Sequence, residues 1–390
     1  MQHSVVLIAA FALFSPLSPI LLNGLSAEAT VTAKAAPTGQ LGVSLRNEVN
    51  AAIDRGLTWL ASKQREDGAW SNNQYPALTA LVIESFAASD HPAKAKVLPR
   101  ALTFIASCVQ PDGGIYKDVP GRKGGGLSNY NTAICMTALH ATGDGDFLPI
   151  IRNARTFVAN GQHFGDDEYT GGFGYDKSTG RAYTDLLNTL YAVQAMRLTQ
   201  AVEESRPKGE QRADIDWGEA ATYISKMQNP SDTGDDAGGF FYNPTDPKAG
   251  TTTNAAGTVT FRSYGSMTYS GLLALIYADV SRDDPRVRSA FDWCARHWSL
   301  EENPGMGAQG LFFFYNVLTR SLDAYGQDLV PAEAGTLIDW RSALAQRLVS
   351  NQKVDPDTGG GYWINDTGRF WENDPILATA YTILALQLTL

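Results

Sequence analysis

A two-helix pattern recurs six times along the chain and limits the folds that the chain can adopt. In five of the copies, a helix that is apolar on one side is followed by a glutamine, a turn with glycine and an aromatic residue, and a second helix that is apolar nearly all round; in the fifth copy along the chain, which has drifted, His297 stands near the place of the glutamine. In the first copy the pattern starts at Asn47, and Ala77 to Ala88 carry Glu84 as their only charge. A helix that is apolar on every side has to be buried, so it needs further copies around it.

Six marker residues, one for each copy, stand at intervals of 46, 52, 66, 69 and 55 residues. The uneven intervals indicate that loops of variable length join units of constant size. Six such units close into a double ring, with the buried helices inside and the amphipathic helices outside. We therefore predict an all-α fold, a single α6/α6 toroid over residues 47–390, with a short strand at 257–261 in one long loop. The markers are Gln64, Gln110, Gln162, Gln228, His297 and Gln352.

Residues 1–29 have the pattern of a secretory signal peptide. An apolar core from Val5 to Phe14 precedes Ala27-Glu28-Ala29, which fits a cleavage signal of small residues. The alternative is an uncleaved anchor, but two prolines interrupt a run of only about 18 apolar-leaning residues, which makes a poor membrane helix. We therefore predict export to the periplasm or the extracellular space, a linker at 30–46, and no integral membrane segment once the leader is removed.

The charge of the chain argues against two classes of partner. The sequence has 31 Lys and Arg against 41 Asp and Glu, a net charge of −10, and the charges are scattered. Nucleic acids and anionic lipids require a basic surface, and no stretch of this chain predicts one. The remaining expected partner is an apolar small molecule, or none.

The stretch Arg55–Trp70 carries a family motif. With Trp59, Gln64, Gly68 and Trp70 at their spacing, it resembles the Gln-Trp repeat of squalene and hopene cyclases, which the β subunits of protein prenyltransferases share in looser form. The second and sixth copies also match well, and the third to fifth match in part. The resemblance implies an α-α toroid with a central cavity, in which the glutamine bonds to the backbone at a neighbouring helix start and the tryptophan stacks on it. Prenyltransferase β subunits have one such toroid, and the cyclases have two.

The catalytic motifs of these families are missing from the chain. Class II cyclases place an Asp-x-Asp-Asp acid at the start of an inner helix, because protonation of an alkene requires an unusually strong acid. The nearest strings here are Asp232–Asp236, which has the wrong spacing, and Glu372–Pro375, which has the right place but lacks one acid. No Asp-Asp-x-x-Asp for metal-bound diphosphate is present either. The resemblance therefore leaves open whether the protein is an enzyme.

A zinc site of the prenyltransferase kind is imitated by Asp292-Trp293-Cys294, with His297 three residues further on. These residues fall on a predicted outer helix, and no histidine begins the sixth inner helix, whereas an open catalytic site needs three protein ligands. We predict no metal and no cofactor. The sequence has three cysteines, Cys108, Cys135 and Cys294. This number is small and odd, which argues against a disulfide framework.

Function is expected at the rim where the inner helices begin, because the N–H groups and dipoles there favour an acid or an anion. Glu372, Asp374 and Asp185 are the candidate catalytic acids, since paired carboxylates across a cavity permit acid and base catalysis. Each of them also fits a helix cap or a solvated acid, and a cap is the favoured interpretation for Asp374, directly before Pro375. The candidate ligand-binding residues are Asn131, Tyr183, Tyr264, Gln309, Phe313 and Trp371.

Three functions fit these observations. The first is an exported toroid protein, similar to squalene cyclases and prenyltransferases, that binds or converts an apolar isoprenoid-like ligand in its central cavity. The second is a non-catalytic binding or scaffold module, and the third is a polysaccharide-acting α-barrel enzyme, which needs two carboxylates. The first requires an aromatic cavity, the third an open cleft with paired acids, and the second neither.

Overall fold

The computed structural model describes residues 39–119, 126–177, 183–253, 256–332 and 335–390. The predicted leader lies outside these ranges, and so does the predicted linker up to residue 38. Within them the chain is mainly helical. The helices are α1 (Val43–Ser62), α2 (Pro76–Ala87), α3 (Lys94–Ser107), α4 (Ser128–Ala141), α5 (Leu148–Ala159), α6 (Leu186–Leu198), α7 (Gln200–Glu204), α8 (Trp217–Lys226), α9 (Gly265–Tyr277), α10 (Pro285–Arg296), α11 (Leu311–Tyr325), α12 (Trp340–Ser350) and α13 (Pro375–Gln387).

The helices form two concentric rings. The inner ring runs α2, α4, α6, α9, α11 and α13, and α13 packs back against α2 to close it. In α2 every residue from Pro76 to Phe86 is buried, as expected for a helix that is apolar all round. Helices α1, α3, α5, α8, α10 and α12 bury one face each and form the outer ring. The predicted α6/α6 toroid is therefore confirmed.

The glutamine markers fasten neighbouring outer helices to each other. The Gln64 side-chain amide donates to the carbonyl of Val97 in the first turn of α3, at 2.9 Å. The Gln162 amide donates in the same way to Asp216, the residue before α8, also at 2.9 Å. Gln110 is an exception, because its amide donates to carbonyls within its own loop. The glutamine contact that the family resemblance implies thus holds in several copies, but not in all.

Ring closure depends on the same kind of contact. The Gln352 amide donates to the carbonyl of Ala52 in α1 at 2.8 Å, and its oxygen accepts from Arg55 Nε at 2.8 Å. Beside it, the Trp59 indole donates to the Asp355 carboxylate at 2.9 Å. The last copy is therefore fastened to the first in the same way as Gln64 and Gln162 fasten their copies to the next ones.

A threonine near the start of the inner helices holds the turn that precedes the helix. The Thr79 hydroxyl of α2 accepts a hydrogen bond from the backbone N–H of Trp70 at 3.1 Å, while the Trp70 indole donates to the Leu60 carbonyl at 2.7 Å. The turn is thereby tied to both helices of its own copy. The equivalent threonines in other copies are Thr132, Thr189, Thr268 and Thr379.

Short strands occur only in the loops of the described chain. The pair β1 (Thr251–Thr253) and β2 (Val259–Phe261) is antiparallel, as predicted for residues 257–261. Two further antiparallel pairs are β3 (Leu329–Pro331) with β4 (Leu337–Asp339), and β5 (Lys353–Val354) with β6 (Gly361–Tyr362). The first helix starts at Val43, so the last residues of the predicted linker 30–46 are helical. Among the described helices, none has the length and apolarity needed to cross a membrane.

Candidate functional site

A cavity of ≈ 440 Å³ opens where the inner helices begin. Its position agrees with the predicted rim. Aromatic side chains supply more than half of the lining, and Lys248 is the one charged residue among the described lining residues. The lining comprises Tyr75, Ala77, Leu78, Leu127, Tyr130, Tyr175, Tyr183, Leu187, Tyr191, Tyr242, Lys248, Tyr264, Ser266, Met267, Gly310, Phe313, Phe370, Trp371, Leu377 and Tyr381.

Three tyrosines from inner helices form the floor of the cavity. The rings of Tyr130 and Tyr191 meet edge to face with centroids 5.3 Å apart, and Tyr381 lines the same part of the cavity. Burial raises the pKa of all three phenols, so they stay neutral at physiological pH. The floor is therefore uncharged.

An ion pair lies deeper in the barrel. Arg320 Nη2 is 3.1 Å from Glu84 Oε2, and both side chains are largely buried. Burial raises the pKa of Glu84, and the nearby Arg320 opposes this rise. Both residues lie in the later turns of their helices, whereas the cavity is lined mainly by the first turns, so the pair is on the far side of the floor from the mouth. Its charges cancel locally and add no net charge to the cavity.

Loop residues from the third and fourth copies form one side of the mouth. The Lys248 ammonium forms an ion pair with Asp246 and lies 5.0 Å from the centre of the Tyr242 ring. The Tyr183 hydroxyl donates to the same Asp246 at 3.3 Å, and burial raises the pKa of Tyr183 to about 12. The positive charge of Lys248 is thus partly neutralised by a carboxylate before any ligand enters.

The first candidate acid, Asp185, is fully buried at the start of α6. Its carboxylate accepts from the Asn188 backbone N–H at 2.8 Å and from the Asn188 side chain at 2.7 Å. Burial raises the pKa of Asp185 to about 6, against the opposing effect of the hydrogen bonds from Asn188. Asp185 does not line the cavity.

The other two candidate acids also cap helices. Glu372 is fully buried, and it accepts from the Phe313 N–H of α11 at 2.8 Å and from Asn365 at 2.7 Å. Burial raises its pKa. Asp374 accepts from the Ile376 N–H of α13 at 2.9 Å, which confirms the cap interpretation. Neither side chain lines the cavity.

Every inner helix is capped by a side-chain oxygen at its first turn. Besides these three acids, Asn131 caps α2 by accepting from Ala77 N–H at 3.0 Å, and Asn303 caps α9 through Ser266 at 2.8 Å. The remaining helix, α4, is capped by Asp176, 2.7 Å from the Ser128 N–H. At the start of each inner helix, at least one of the N–H groups that were expected to attract an acid or an anion is therefore already occupied.

Four of the six predicted ligand-binding residues line the cavity: Tyr183, Tyr264, Phe313 and Trp371. Asn131 instead caps a helix, and Gln309 accepts from the Arg369 guanidinium. Sequence reasoning missed several lining residues, among them the three floor tyrosines. The sequence signal that could have identified these tyrosines is a tyrosine within an apolar inner helix, because a phenol there needs a polar environment for its hydroxyl.

Two consecutive aromatic residues at the mouth have a left-handed backbone. Phe370 has φ 61° and Trp371 has φ 66°, and their exposed fractions are 46% and 47%. This conformation is unfavourable for residues other than glycine, by roughly 1 to 2 kcal/mol each. Trp371 meets Tyr75 edge to face at 5.0 Å, and the Arg369 guanidinium lies 5.0 Å from the Phe370 ring centre. The pair therefore forms a strained apolar edge of the cavity.

The zinc-like string lies away from the cavity. Cys294 is buried, which raises its pKa. His297 stacks on Trp293 and pairs with Asp235 at 3.1 Å. In the part of the chain that the structure describes, no three His, Cys, Asp or Glu side chains are grouped to hold a metal ion. Cys108 and Cys135 are also buried and unpaired.

The chain matches no protein-family model and no curated protein. It is similar in structure to the type II terpene cyclase MstE from Scytonema in complex with its product merosterolic acid A, with 14% identity over 89% of this chain and 98% of that chain and a TM-score of 0.52. A family 76 glycoside hydrolase (mannosidase) from Bacteroides thetaiotaomicron gives 12% identity, 88% and 98% coverage and a TM-score of 0.53. A GH76 α-mannanase from the same species has 12% identity, over 88% of this chain and 95% of that chain, and a TM-score of 0.52.

These likenesses concern the fold. The terpene cyclase confirms the toroid that the Gln-Trp motif implied, and the mannosidases have the same double ring. A fold shared by proteins of such different chemistry does not by itself determine the substrate. The contents of the cavity have to decide the function.

Proposed function

We propose that the protein binds an apolar, isoprenoid-like ligand in the cavity at the mouth of the inner ring. The observation that carries this proposal is the aromatic lining of the cavity, with one partly neutralised cation, Lys248. The cavity volume of ≈ 440 Å³ lies within the range of small-molecule sites. At about 30 Å³ per water-sized group, it accommodates a ligand body of roughly 15 non-hydrogen atoms.

Binding is better supported than conversion of the ligand. Acid catalysis needs a carboxyl or another acid within hydrogen-bond reach of the ligand. Among the described residues, no Asp or Glu lines the cavity, and the three candidate acids all cap helices. The lining tyrosines are poor acids, because burial raises the pKa of phenols such as Tyr191. A binding protein therefore fits the geometry more simply than an enzyme does.

The polysaccharide-acting alternative is favoured by the likeness to mannosidases and by the half-exposed Phe370 and Trp371. Glycoside hydrolysis, however, needs two carboxyl groups that flank the scissile bond, about 5 to 10 Å apart. Asp185 and Glu372, the acids predicted for that purpose, are both buried as helix caps. The scaffold alternative requires no ligand at all, so one binding experiment separates the three.

The experiment is equilibrium dialysis of the full chain against farnesol, a prenyl alcohol of suitable size, and against mannotriose. We expect binding of farnesol and none of mannotriose. Leu377→Trp, which fills the cavity from the first turn of α13, should weaken farnesol binding at least tenfold. Leu337→Trp, at an exposed site on β4, is the matched control and should have no effect.

Overpacking costs typically about 1 to 3 kcal/mol, so the melting temperature of both variants is checked first. Binding of mannotriose without farnesol would support the polysaccharide alternative. Binding of neither would support the scaffold alternative. Farnesol binding that is unchanged in Leu377→Trp would mean that the ligand does not occupy this cavity.

We also infer that the protein is exported, on the strength of the leader pattern at residues 1–29. Cleavage is expected after Ala29. N-terminal sequencing of the protein secreted by a bacterial host tests this, and recovery of the uncleaved chain in the cytosolic fraction would contradict it.

A further inference from the structure

A short segment of the sixth copy borders the cavity mouth, and its two ends are bonded to each other. Residues 366–371, which we call the rim segment, lie between Asn365 and Glu372. The Asn365 N–H donates to the Glu372 carbonyl at 3.0 Å, and the Asn365 side-chain amide donates to the Glu372 carboxylate at 2.7 Å. A surface loop whose ends meet in this way can move as a unit about its base.

The base of the rim segment is anchored in the protein interior. Asn365 and Glu372 are both buried. The Glu372 carboxylate also accepts from the Phe313 N–H at 2.8 Å, and the Asn365 amide also donates to the Ala308 carbonyl at 2.7 Å, so both ends are attached to the fifth copy. Between these anchors, five of the six residues are exposed. The rim segment therefore combines a fixed base with a tip in contact with solvent.

The tip of the rim segment meets the rest of the mouth through two aromatic side chains. The Phe370 ring lies close against Gly310, where an added Cβ atom would be 3.2 Å from the ring. The Trp371 ring meets the Tyr75 ring edge to face, with centroids 5.0 Å apart. Phe370 and Trp371 both line the cavity, although each remains about half exposed. The tip is therefore held at the cavity edge by a few apolar contacts.

The backbone of the tip opposes this closed position. Phe370 and Trp371 both have a left-handed backbone, which is unfavourable for residues with a side chain. Movement of the tip away from Gly310 and Tyr75 would release both residues to ordinary conformations, and this gain offsets part of the apolar contact that is lost. Strained residues of this kind concentrate in ligand clamps and in segments that switch position. The strain thus narrows the difference in free energy between a closed and an open position.

We propose that the rim segment is a lid, which opens to admit the ligand and closes over it with Phe370 and Trp371 in contact with the bound ligand. The inference rests on the proposed function. A ligand that fills the cavity gains apolar contacts with the two rings only in the closed position, so it shifts the lid toward that position. The lid then controls how long the ligand stays bound.

The first test is limited proteolysis of the full native chain with trypsin, which cleaves after arginine and lysine. The bond after Arg369 lies within the rim segment, and the bond after Lys208, in an exposed loop between α7 and α8, is the control. Cleavage after Arg369 requires the open position, so its rate follows the population of that position. Farnesol at about ten times its dissociation constant should slow this cleavage about tenfold, because it binds under the closed lid. Cleavage after Lys208 should keep its rate, and mass spectrometry of the fragments measures both.

The second test removes the two rings and keeps a backbone that suits the left-handed conformation. In the double variant Phe370→Gly, Trp371→Gly, tritiated farnesol should dissociate about tenfold faster than from the native protein, since the loss of contact acts mainly on the dissociation rate. Phe164→Gly is the matched control. Phe164 is an exposed aromatic residue in a loop of the third copy and is not among the described lining residues, so its replacement should leave the dissociation rate unchanged.

The first test uses the native protein, so the outcome does not depend on how well the double variant folds. Farnesol binding that leaves cleavage after Arg369 unchanged would overturn the lid and leave the proposed function intact. Equal slowing at Arg369 and Lys208 would also overturn it, because the ligand would then stabilise the whole fold. An unchanged dissociation rate in a folded double variant would refute the contact between the two rings and the ligand. If farnesol does not bind to the native protein, the proposed function and the lid both fail.

Discussion

Replacement of Asp185 by asparagine tests the electrostatics beside the cavity. The carboxyl is fully buried, and this burial raises its pKa from 3.8 to about 6. Asparagine is as good a helix cap as aspartate, so Asp185→Asn keeps the capping bond to Asn188. The substitution therefore removes the ionisable group without removing the structural role.

The magnitude follows from the size of the shift. A rise in the pKa of Asp185 from 3.8 to about 6, at about 1.4 kcal/mol per pKa unit, makes its ionisation cost about 3 kcal/mol in the folded state. Between pH 3.8 and about 6 the folded protein binds this proton more tightly than the unfolded chain does, so this group lowers stability as the pH rises through the window. Asp185→Asn lacks that dependence. Its free energy of unfolding relative to that of the native protein should rise by about 2 to 3 kcal/mol between about pH 4 and pH 7.5.

The assay is urea denaturation of both proteins at steps of half a pH unit across this range. Asp284→Asn is the control, because Asp284 also caps a helix, α10, but the Arg286 guanidinium holds the pKa of Asp284 at about 2. Asp284 titrates below this pH range, so the difference in the free energy of unfolding between Asp284→Asn and the native protein should stay constant from about pH 4 upwards. A flat curve for Asp185→Asn as well would refute the reasoning that burial dominates at Asp185.

Three further predictions concern the stability of the ring, each measured as the free energy of unfolding in urea. Gln352→Ala removes the hydrogen bonds to Ala52 and Arg55 and should cost about 2 kcal/mol. Gln110→Ala breaks hydrogen bonds within one loop and should cost less. Equal losses would contradict the role of Gln352 in closing the ring. Glu372→Ala leaves the Phe313 N–H and the Asn365 amide without their acceptor and should cost about 2 to 4 kcal/mol, whereas Glu372→Gln keeps an acceptor and should cost less. Arg320→Met leaves Glu84 buried without its partner and should cost about 3 to 5 kcal/mol. Adding Glu84→Gln to the same chain should largely reverse this loss. If the losses of the two substitutions add instead, the ion pair does not stabilise the fold in this way.

The ring architecture could be predicted from sequence because it depends on periodicity. Helices such as α2, which are apolar all round, have to be buried in the protein interior. Six copies of such a helix therefore define an inner ring. The location of the cavity followed from the same count, since the first turns of the inner helices have to meet at one end. Tyr264 and Phe313, at those first turns, were found in this way.

The roles of individual residues were harder to predict. A helix cap and a catalytic acid have the same sequence signature, an acid at a helix start, and only the hydrogen bonds of Glu372 distinguish them. Tyr269 and Phe312 are aromatic residues near the starts of inner helices, as Phe313 is, yet both belong to the core: Tyr269 packs against Phe314 and Phe312 against Tyr315. In a helix that is buried on every side, periodicity does not indicate which face points to the lumen.

The threonine bonds at the inner helices have a consequence for how such a protein changes over evolutionary time. Thr79 accepts from a backbone N–H nine residues earlier at 3.1 Å, and Thr268 accepts from one 28 residues earlier at 3.0 Å. The same bond therefore spans a short loop and a loop three times as long without displacing the helix that carries it. Insertions can accumulate between the turn and the helix while the ring keeps its radius. Natural variation, or a designed library, can thus alter the mouth of the cavity through these loops and leave the ring itself unchanged.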